Sequence, residues 1–322
     1  MVSRILQSRR IAILALLLGL SACSDSRQRN AAGASKQRAA ERDTLRVGAW
    51  NIEWLGTPGS RSGVSKDVKQ TPEDLADYIL AANVDILGVC EVAQESSDGS
   101  LTSDTIAAAL RIVGQKRGGA WTHQLFPARS GRNQLCGLAW DTSVVSVKSP
   151  MVAATCADPV EGDEKIWSRP PPVVVFSTGD ARTDFAVVMV HMKSNYNGDF
   201  AEQRGREAHH LAKDLPRTVA DRDIVIMGDT NCNKTTEPAI AELCNAGFVH
   251  LTPDDARTFW KGNGALDRVF VPADQPEFAG RKYEIVRDDY LAKRSLTIDD
   301  FKKRYSDHFM VVTEVRVMRD DD

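Results

Sequence analysis

No apolar run in the 322-residue chain approaches the roughly 20 residues that a bilayer-spanning helix needs. The nearest is Ile11 to Leu20, which is too short to span. An excess of basic residues is also missing. Lys and Arg number 41 against 44 Asp and Glu, a net charge of -3. That balance argues against simple electrostatic capture of a polyanion, while leaving room for a local basic lining. Cysteines are few, and no internal repeat is legible. What is present is an ordinary apolar content of 42%, enough to bury a sizeable core.

Arg4, Arg9 and Arg10 precede the apolar stretch, the layout of an export signal. Leu20-Ser21-Ala22-Cys23 then closes it and resembles the lipobox of bacterial lipoproteins, which implies that Cys23 becomes the lipidated first residue. Ser24 rather than Asp after the cysteine resembles the pattern of outer-membrane sorting, so the protein is expected outside the cytoplasm, lipid-anchored at the outer membrane of a Gram-negative bacterium. An ordinary secretory signal with an incidental cysteine is the alternative. Residues 1–22 are thus read as signal peptide and 23–43 as a flexible tether rich in Ser, Ala, Gln and charge. Residues 44–318 are read as one globular domain acting as a monomer. Export leaves Cys90, Cys136, Cys156, Cys232 and Cys244, an odd set. Cys90 lies in an apolar strand and reads as a small buried hydrophobe. Cys136 with Cys156 and Cys232 with Cys244 could close short loops as disulfides, although spacing cannot fix connectivity.

Strand-like and helix-like segments alternate along the domain, which indicates an α/β architecture. Thr71-Pro72-Glu73-Asp74 opens a helix running to about Ala82, with a capping hydroxyl, a first-turn proline and acidic residues where the dipole favours them. Further helices are predicted from Ser103 to Val113 with Gly114 as stop, from Phe200 to Leu215 capped by Asp199, and after Thr236-Glu237-Pro238 as far as Gly247. Between the second and third lie runs at Leu135–Trp140, Val144–Val152, Pro172–Ser177 and Phe185–His191. That is too much antiparallel-looking strand for a doubly wound nucleotide-binding fold. Two sheets packed face to face with helices outside fit better. Residues 274–304 read as a strand followed by a helix-containing excursion.

Short polar fragments stand where apolar strands run out: Asn51-Ile52-Glu53, Glu91, His191, Gly228-Asp229-Thr230-Asn231, Asp267 and Ser306-Asp307-His308. Together they point to one carboxylate- and imidazole-lined site at a sheet edge. An ionised Glu91 at a buried strand end is costly unless paired or metal-bound. The oxygen-rich set favours Mg²⁺, with Mn²⁺ or Ca²⁺ as substitutes, over zinc. An ordinary ion pair is the bland alternative for Glu91, and a strand-end turn amide is the alternative for Asn51. Asp229 and Asn231 are two apart, so on an extended segment both side chains face one way. A turn built on Gly-Asp-Thr-Asn is compatible with that. Asp267 can orient His308 and favour its imidazolium. His191 is the second imidazole. Such a set suits hydrolysis of a phosphate ester.

Trp50-Asn51-Ile52, Cys90-Glu91-Val92, Val190-His191-Met192-Lys193-Ser194, Gly228-Asp229-Thr230-Asn231, Leu266-Asp267-Arg268-Val269 and Ser306-Asp307-His308 resemble, in order, the motifs of the endonuclease/exonuclease/phosphatase superfamily. The resemblance runs from Trp50 to His308 and implies a four-layer α/β/β/α sandwich of two packed mixed sheets flanked by helices, with a divalent metal. It implies Glu91 as the main metal ligand with Asn51 and Asp307 close by. Asp229 would orient or deprotonate the attacking water, and Asn231 would bind phosphate. The Asp267–His308 dyad and His191 would contact the scissile phosphate. Gln134 stands where some nuclease members place a glutamate behind the His191 counterpart, and a glutamine cannot supply that charge. Glu53 either supports the site from behind or is merely exposed.

A nuclease needs cations along its cleft. Arg169, Lys193 and Arg268 are the chosen substrate-binding candidates, with Arg129, Arg132, Lys261 and Lys302-Lys303-Arg304 as further cations. Trp54, Trp260 and Tyr305 could stack on bases, though packing is the default for an isolated aromatic. The expectation is a Mg²⁺-dependent nuclease acting on extracytoplasmic DNA or RNA. The alternative is a phosphodiesterase or phosphatase acting on lipid headgroups or small phosphate esters. No long apolar hairpin of a lipid-engaging kind is visible, which favours the nuclease. A binding module without activity is the third class, disfavoured because every catalytic residue type is present.

Overall fold

The computed structural model describes residues 42–93, 100–128, 134–155, 160–161, 164–262, 264–280 and 282–320. The signal segment, the lipobox, nearly all of the tether, Arg129, Arg132 and Cys156 lie outside these. None of the helices described is long and apolar enough to cross a membrane.

Strands β1 (Thr44–Leu55), β2 (Ile86–Val92), β3 (Trp121–Phe126) and β4 (Leu135–Asp141) build most of a first sheet. A second follows with β5 (Ser146–Ala153), β6 (Pro172–Ser177), β7 (Asp184–His191), β8 (Ile224–Asp229), β9 (Phe248–His250) and β10 (Asp267–Pro272). The chain then returns to the first with β11 (Tyr283–Ile285) and β12 (Val311–Arg316). The orders are β11-β12-β1-β2-β4-β3 and β9-β10-β8-β7-β6-β5. Each sheet has one parallel pair at its centre, β1 with β2 and β7 with β8, and antiparallel neighbours elsewhere. The two sheets therefore share one plan, in which β1 matches β8, β2 matches β7 and β12 matches β10. The sequence carries no readable trace of that repetition.

Period-two alternation sorts each strand between layers. Leu45, Val47 and Ala49 of β1 join Val187, Met189, Val225, Met227, Val269 and Val271 in the core between the sheets. Trp50 and Ile52 turn the other way, against helices α1 (Pro72–Ala82) and α2 (Asp104–Arg117). Val188, Val190, Ile226 and Phe270 face helices α3 (Ala201–Thr218) and α4 (Pro238–Asn245). The result is the expected four-layer sandwich of two packed mixed sheets flanked by helices. The sheets approach closely at Gly88, where a Cβ would fall 2.5 Å from Met189 Sδ.

The first helix begins and ends as its sequence predicts. Thr71 Oγ1 accepts the Asp74 N–H, and Asn83 closes the helix at φ 52°. Gly114 does not stop α2, which continues to Gly118 at φ 69°. One mid-helix glycine costs about 1 kcal/mol against alanine, and Lys116 and Arg117 suit the last turn. Helix α3 also runs past the predicted end at Leu215, taking Pro216 into its last turn. The excursion holds β11 and helices α5 (Asp288–Arg294) and α6 (Ile298–Arg304). Of the expected disulfides, Cys232–Cys244 is absent: Cys232 is buried, Cys244 is exposed, and both are free thiols. Cys244 sits on α4 facing solvent, whereas Cys232 is a buried residue of the loop that follows β8. Cys136 is also a free thiol in the inter-sheet core; its expected partner lies outside the described residues.

Candidate active site

The inter-sheet core ends in polar residues. Continuing each apolar row by one period-two step leads from Ala49 to Asn51, from Met189 to His191, from Met227 to Asp229 and from Val269 back to Asp267. The parallel pairs point their C-terminal ends to the same edge, so the rows converge there. Glu91 is one step out of phase with Cys90. It reaches the cluster because β2 bulges and Glu91 takes φ 60°, a left-handed conformation that costs a non-glycine residue about 1–3 kcal/mol. Strand β1 does not stop at Asn51 as predicted but bulges through Glu53 (φ 46°) and Trp54 (φ 57°) to Leu55.

Three of the contacts that cross between the sheets join residues at matching places in the shared plan. Asn51 Nδ2 donates to Asp229 Oδ2 at 3.0 Å. Glu91 Oε1 lies 3.6 Å from His191 Nε2. Asp267 Oδ2 lies 2.8 Å from His308 Nδ1. Further links tie these together. Asn51 Nδ2 also donates to Glu91 at 3.1 Å, while Asp229 Oδ2 lies 3.7 Å from His191 and 3.9 Å from His308. Asp307 Oδ1 is 3.8 Å from His308 Nε2. As oriented, Asn51 bridges the two carboxylates, and its own carbonyl accepts the Glu53 N–H. Asn231, at φ 53°, donates its N–H to Asp229 Oδ1 and its amide to the Met192 carbonyl, so both bonds brace the site from within.

Burial and like charge act on Asp229, Asp307 and Glu91. Burial raises Asp229 to about 7, against the pull of His308 and with the Asp267 charge adding to the rise. Burial raises Asp307 to about 6, opposed by His308. Glu91 is raised by burial and by Asp307. His191 falls well below its ordinary value through burial, Arg169 and His308, and is neutral at pH 7. Burial works against charging His308 as well, but Asp267, Asp229 and Asp307 outweigh it and hold the imidazolium. The two imidazoles are thus split, one neutral and one charged.

Glu91, His191 and Asp229 offer ligand atoms within 4.8 Å of one another, as do Asp229, Asp267 and His308. Crowded carboxylates with raised pKa values are what a divalent cation relieves, so the donor set fits one. Glu91 would hold it, with Asn51 3.1 Å away and Asp307 near enough to act on the Glu91 carboxyl, and its charge would polarise a phosphoryl oxygen while Asp229 stays free for the water. The oxygen-rich character suits a hard cation.

Arg169 lies at the edge, donating to the carbonyls of His191 (3.4 Å) and Met192 (3.2 Å). Gln134 makes no hydrogen bond to His191, whose Nδ1 is buried without a partner among the described residues. Gln134 Oε1 accepts from Arg169 Nη1 at 2.7 Å. Lys193 lays its ammonium over the Phe200 ring, 4.6 Å from the centroid. Arg268 is a correction: its side chain is fully buried, donating to the Cys232 and Thr252 carbonyls and to Asp254 at 2.9 Å. The same alternation that points Asp267 into the site sends Arg268 to the opposite face.

Behind the site stand Glu53, Lys302 and Trp260, which the sequence flags without placing, and Arg61 and Glu207, which it does not flag. Glu53 is buried, 3.0 Å from Arg61 and 3.6 Å from Lys302, so Lys302 is an internal cation rather than a surface one. Lys302 and Lys261 each lie 4.5 Å from the centroid of the Trp260 ring, and the Trp260 backbone N–H donates to the Asp307 carbonyl. Tyr305 packs in the aromatic cluster of the helix-side core rather than on the site. Glu207 of α3 accepts the Lys193 N–H at 2.9 Å. Its signal is legible afterwards: Arg204 and Glu207 are charges on the helical stripe that Ala208, Leu211 and Leu215 bury.

The chain's likeness to known proteins matches this geometry. No curated sequence matches it. Among solved structures it resembles the human Nocturnin catalytic domain with bound sulfate (TM-score 0.59, 14% identity, 87% of this chain and 96% of that one). It also resembles D. rerio TDP2 complexed with single-strand DNA product (TM-score 0.51, 13% identity, 86% and 100%). A third likeness is ANGEL2, a 2′,3′-cyclic phosphatase, with adenosine-2′,3′-vanadate (TM-score 0.57, 13% identity, 85% and 95%). At such identities these establish the fold and name no substrate. The model of the Endonuclease/Exonuclease/phosphatase family matches residues 48–308, the span that carries every site residue from Asn51 to His308. The chain belongs to the endonuclease/exonuclease/phosphatase family.

Proposed function

We propose that the protein is a Mg²⁺-dependent phosphodiesterase, a nuclease cleaving DNA or RNA outside the cytoplasm. The observation that carries this reading is the convergence on Asp229 Oδ2 of Asn51 (3.0 Å), His191 (3.7 Å) and the Asp267-held His308 (3.9 Å). A buried carboxylate between two imidazoles is placed to act as a general base. Asp229 takes the proton of a water whose oxygen forms the new bond to phosphorus. The His308 imidazolium donates to a phosphoryl oxygen as negative charge gathers there. The ester P–O bond breaks, and the leaving oxygen takes its proton from solvent. His191, held neutral, orients oxygen rather than protonating it. Asn51 and Asn231 hold the carboxylates in place.

Nucleic acid is supported by the half-buried Arg169 at the site edge and by Trp260 with two ammonium groups beside Asp307. The TDP2 likeness, whose structure holds single-strand DNA, agrees with it. The lipobox-like Leu20-Ser21-Ala22-Cys23 supports export and a lipid anchor at the membrane. That same anchor is the one feature favouring the second reading, hydrolysis of lipid headgroups or small phosphate esters. Plasmid nicking in Mg²⁺ decides between them. Cleavage that EDTA and His308→Ala both abolish supports the nuclease. Robust hydrolysis of a lipid phosphodiester with an intact plasmid reverses the ranking. Fatty-acid labelling lost in Cys23→Ala tests the anchor.

A further inference from the structure

Arg169 is a charged group whose acceptors are all neutral. Nε donates to the His191 carbonyl, Nη2 to the Met192 carbonyl and Nη1 to Gln134 Oε1. Among the described residues no carboxylate lies within ion-pair range of it. A guanidinium has five N–H groups, so these three bonds leave spare donors. Its field nevertheless reaches the site, acting on both His191 and Glu91.

Gln134 is well placed to govern this. Leu135 pairs with Val92 across β4 and β2, so the residue before it lies at the sheet edge that carries Glu91. A neutral amide at 2.7 Å fixes the guanidinium's direction and leaves its charge whole. A carboxylate of the same length would form a charge-assisted pair and cancel it. The polar group at this position therefore decides whether the site keeps a positive pole beside His191.

We propose that Gln134 is a positioning residue that determines specificity for anionic substrate: it holds Arg169 without neutralising it, leaving guanidinium N–H groups for a phosphate oxygen. This rests on the phosphoesterase reading above and goes beyond it by assigning the residue that sets the charge of the substrate-facing edge.

The test uses full-length protein, Q134E, Q134M and R169Q, with inorganic sulfate as the probe of equilibrium anion binding and plasmid as substrate. Q134E should bind sulfate about tenfold more weakly than wild type, and R169Q equally weakly. Q134M, neutral but unable to accept, should lose less. Combining Q134E with R169Q should add no further loss, because both remove one and the same charge. In turnover, Q134E should raise KM while kcat stays within about threefold, and log KM against log salt should flatten by about one unit of slope. A merely structural glutamine would leave that slope unchanged. Wild-type sulfate affinity and salt slope in Q134E would overturn the proposal, as would additive losses in the double variant. If sulfate binding discriminates as stated but wild type cleaves no nucleic acid, the nuclease reading fails and the role of Gln134 stands. Normal nicking without sulfate discrimination fails the role of Gln134 alone.

Discussion

Asp267 opens β10 of one sheet, His308 stands just before β12 of the other, and the two meet at 2.8 Å, Oδ2 to Nδ1, with Asp267 fully buried. The contact fixes the imidazole's tautomer and, with Asp229 and Asp307, keeps it charged. Asp267→Asn removes that support while preserving shape. Phosphodiester cleavage at pH 7 should fall by about 10²-fold or more. The His308 pKa, followed by NMR of labelled imidazole, should drop. The charged form's contribution to stability is present below the ordinary value of 6.5 and lost as pH rises through the raised folded value, so the variant should lose stability mainly on the acid side. An unchanged imidazole titration would sink this account.

Glu91 sits in a left-handed bend among other acids, an arrangement that a divalent cation stabilises. At pH 8 the protein should gain thermal stability with Mg²⁺, by about 2.7 kcal/mol at a hundredfold excess over Kd. Glu91→Gln should remove most of that gain, lose activity, and be more stable than wild type in EDTA. Calorimetry with and without EDTA reads all three.

Glu207 is a buried carboxyl raised by its burial to about 8 from an ordinary 4.5, although the Lys193 N–H, Arg169 and Arg204 pull the other way. The folded state holds this proton after the unfolded chain has released it, so stability falls as pH rises from about 4.5 to about 8. Glu207→Gln, which still accepts the Lys193 N–H, should flatten the urea-midpoint profile across that window. A profile as steep as that of wild type would show that Glu207 ionises normally.

Arg268 lies under the loop that follows β8 and is fully buried. Arg268→Met should leave the KM of folded enzyme nearly unchanged. It should cost about 2 kcal/mol or more in urea denaturation, because it strips bonds from the Cys232 and Thr252 carbonyls and from Asp254. A large rise in KM at unchanged stability would return this residue to the substrate.

Much of the site was legible because a β-strand repeats every two residues. Val187-Met189-His191 and Val225-Met227-Asp229 read directly as apolar rows ending in chemistry, and the family motifs set their order. The same rule separates Asp267 from Arg268, yet adjacency to a motif had placed Arg268 at the substrate. Glu91 breaks the phase, and no sequence rule marks the left-handed bend that restores it.

The sequence by itself determined the α/β class, the helix cap at Thr71 and the helix end near Ala82, and which polar residues end which strands. Local propensity and two-residue alternation act within a few positions, so they can be read without partners. Tertiary structure decided what faces what. It gave the two sheets one shared plan and set Asn51 against Asp229, Glu91 against His191 and Asp267 against His308. It also turned Gln134 onto Arg169, and drew Lys302 and Glu53 inside. Those outcomes depend on groups far apart in the chain sharing one buried, poorly screened space, where each charge is settled by its neighbours rather than by its own residue type.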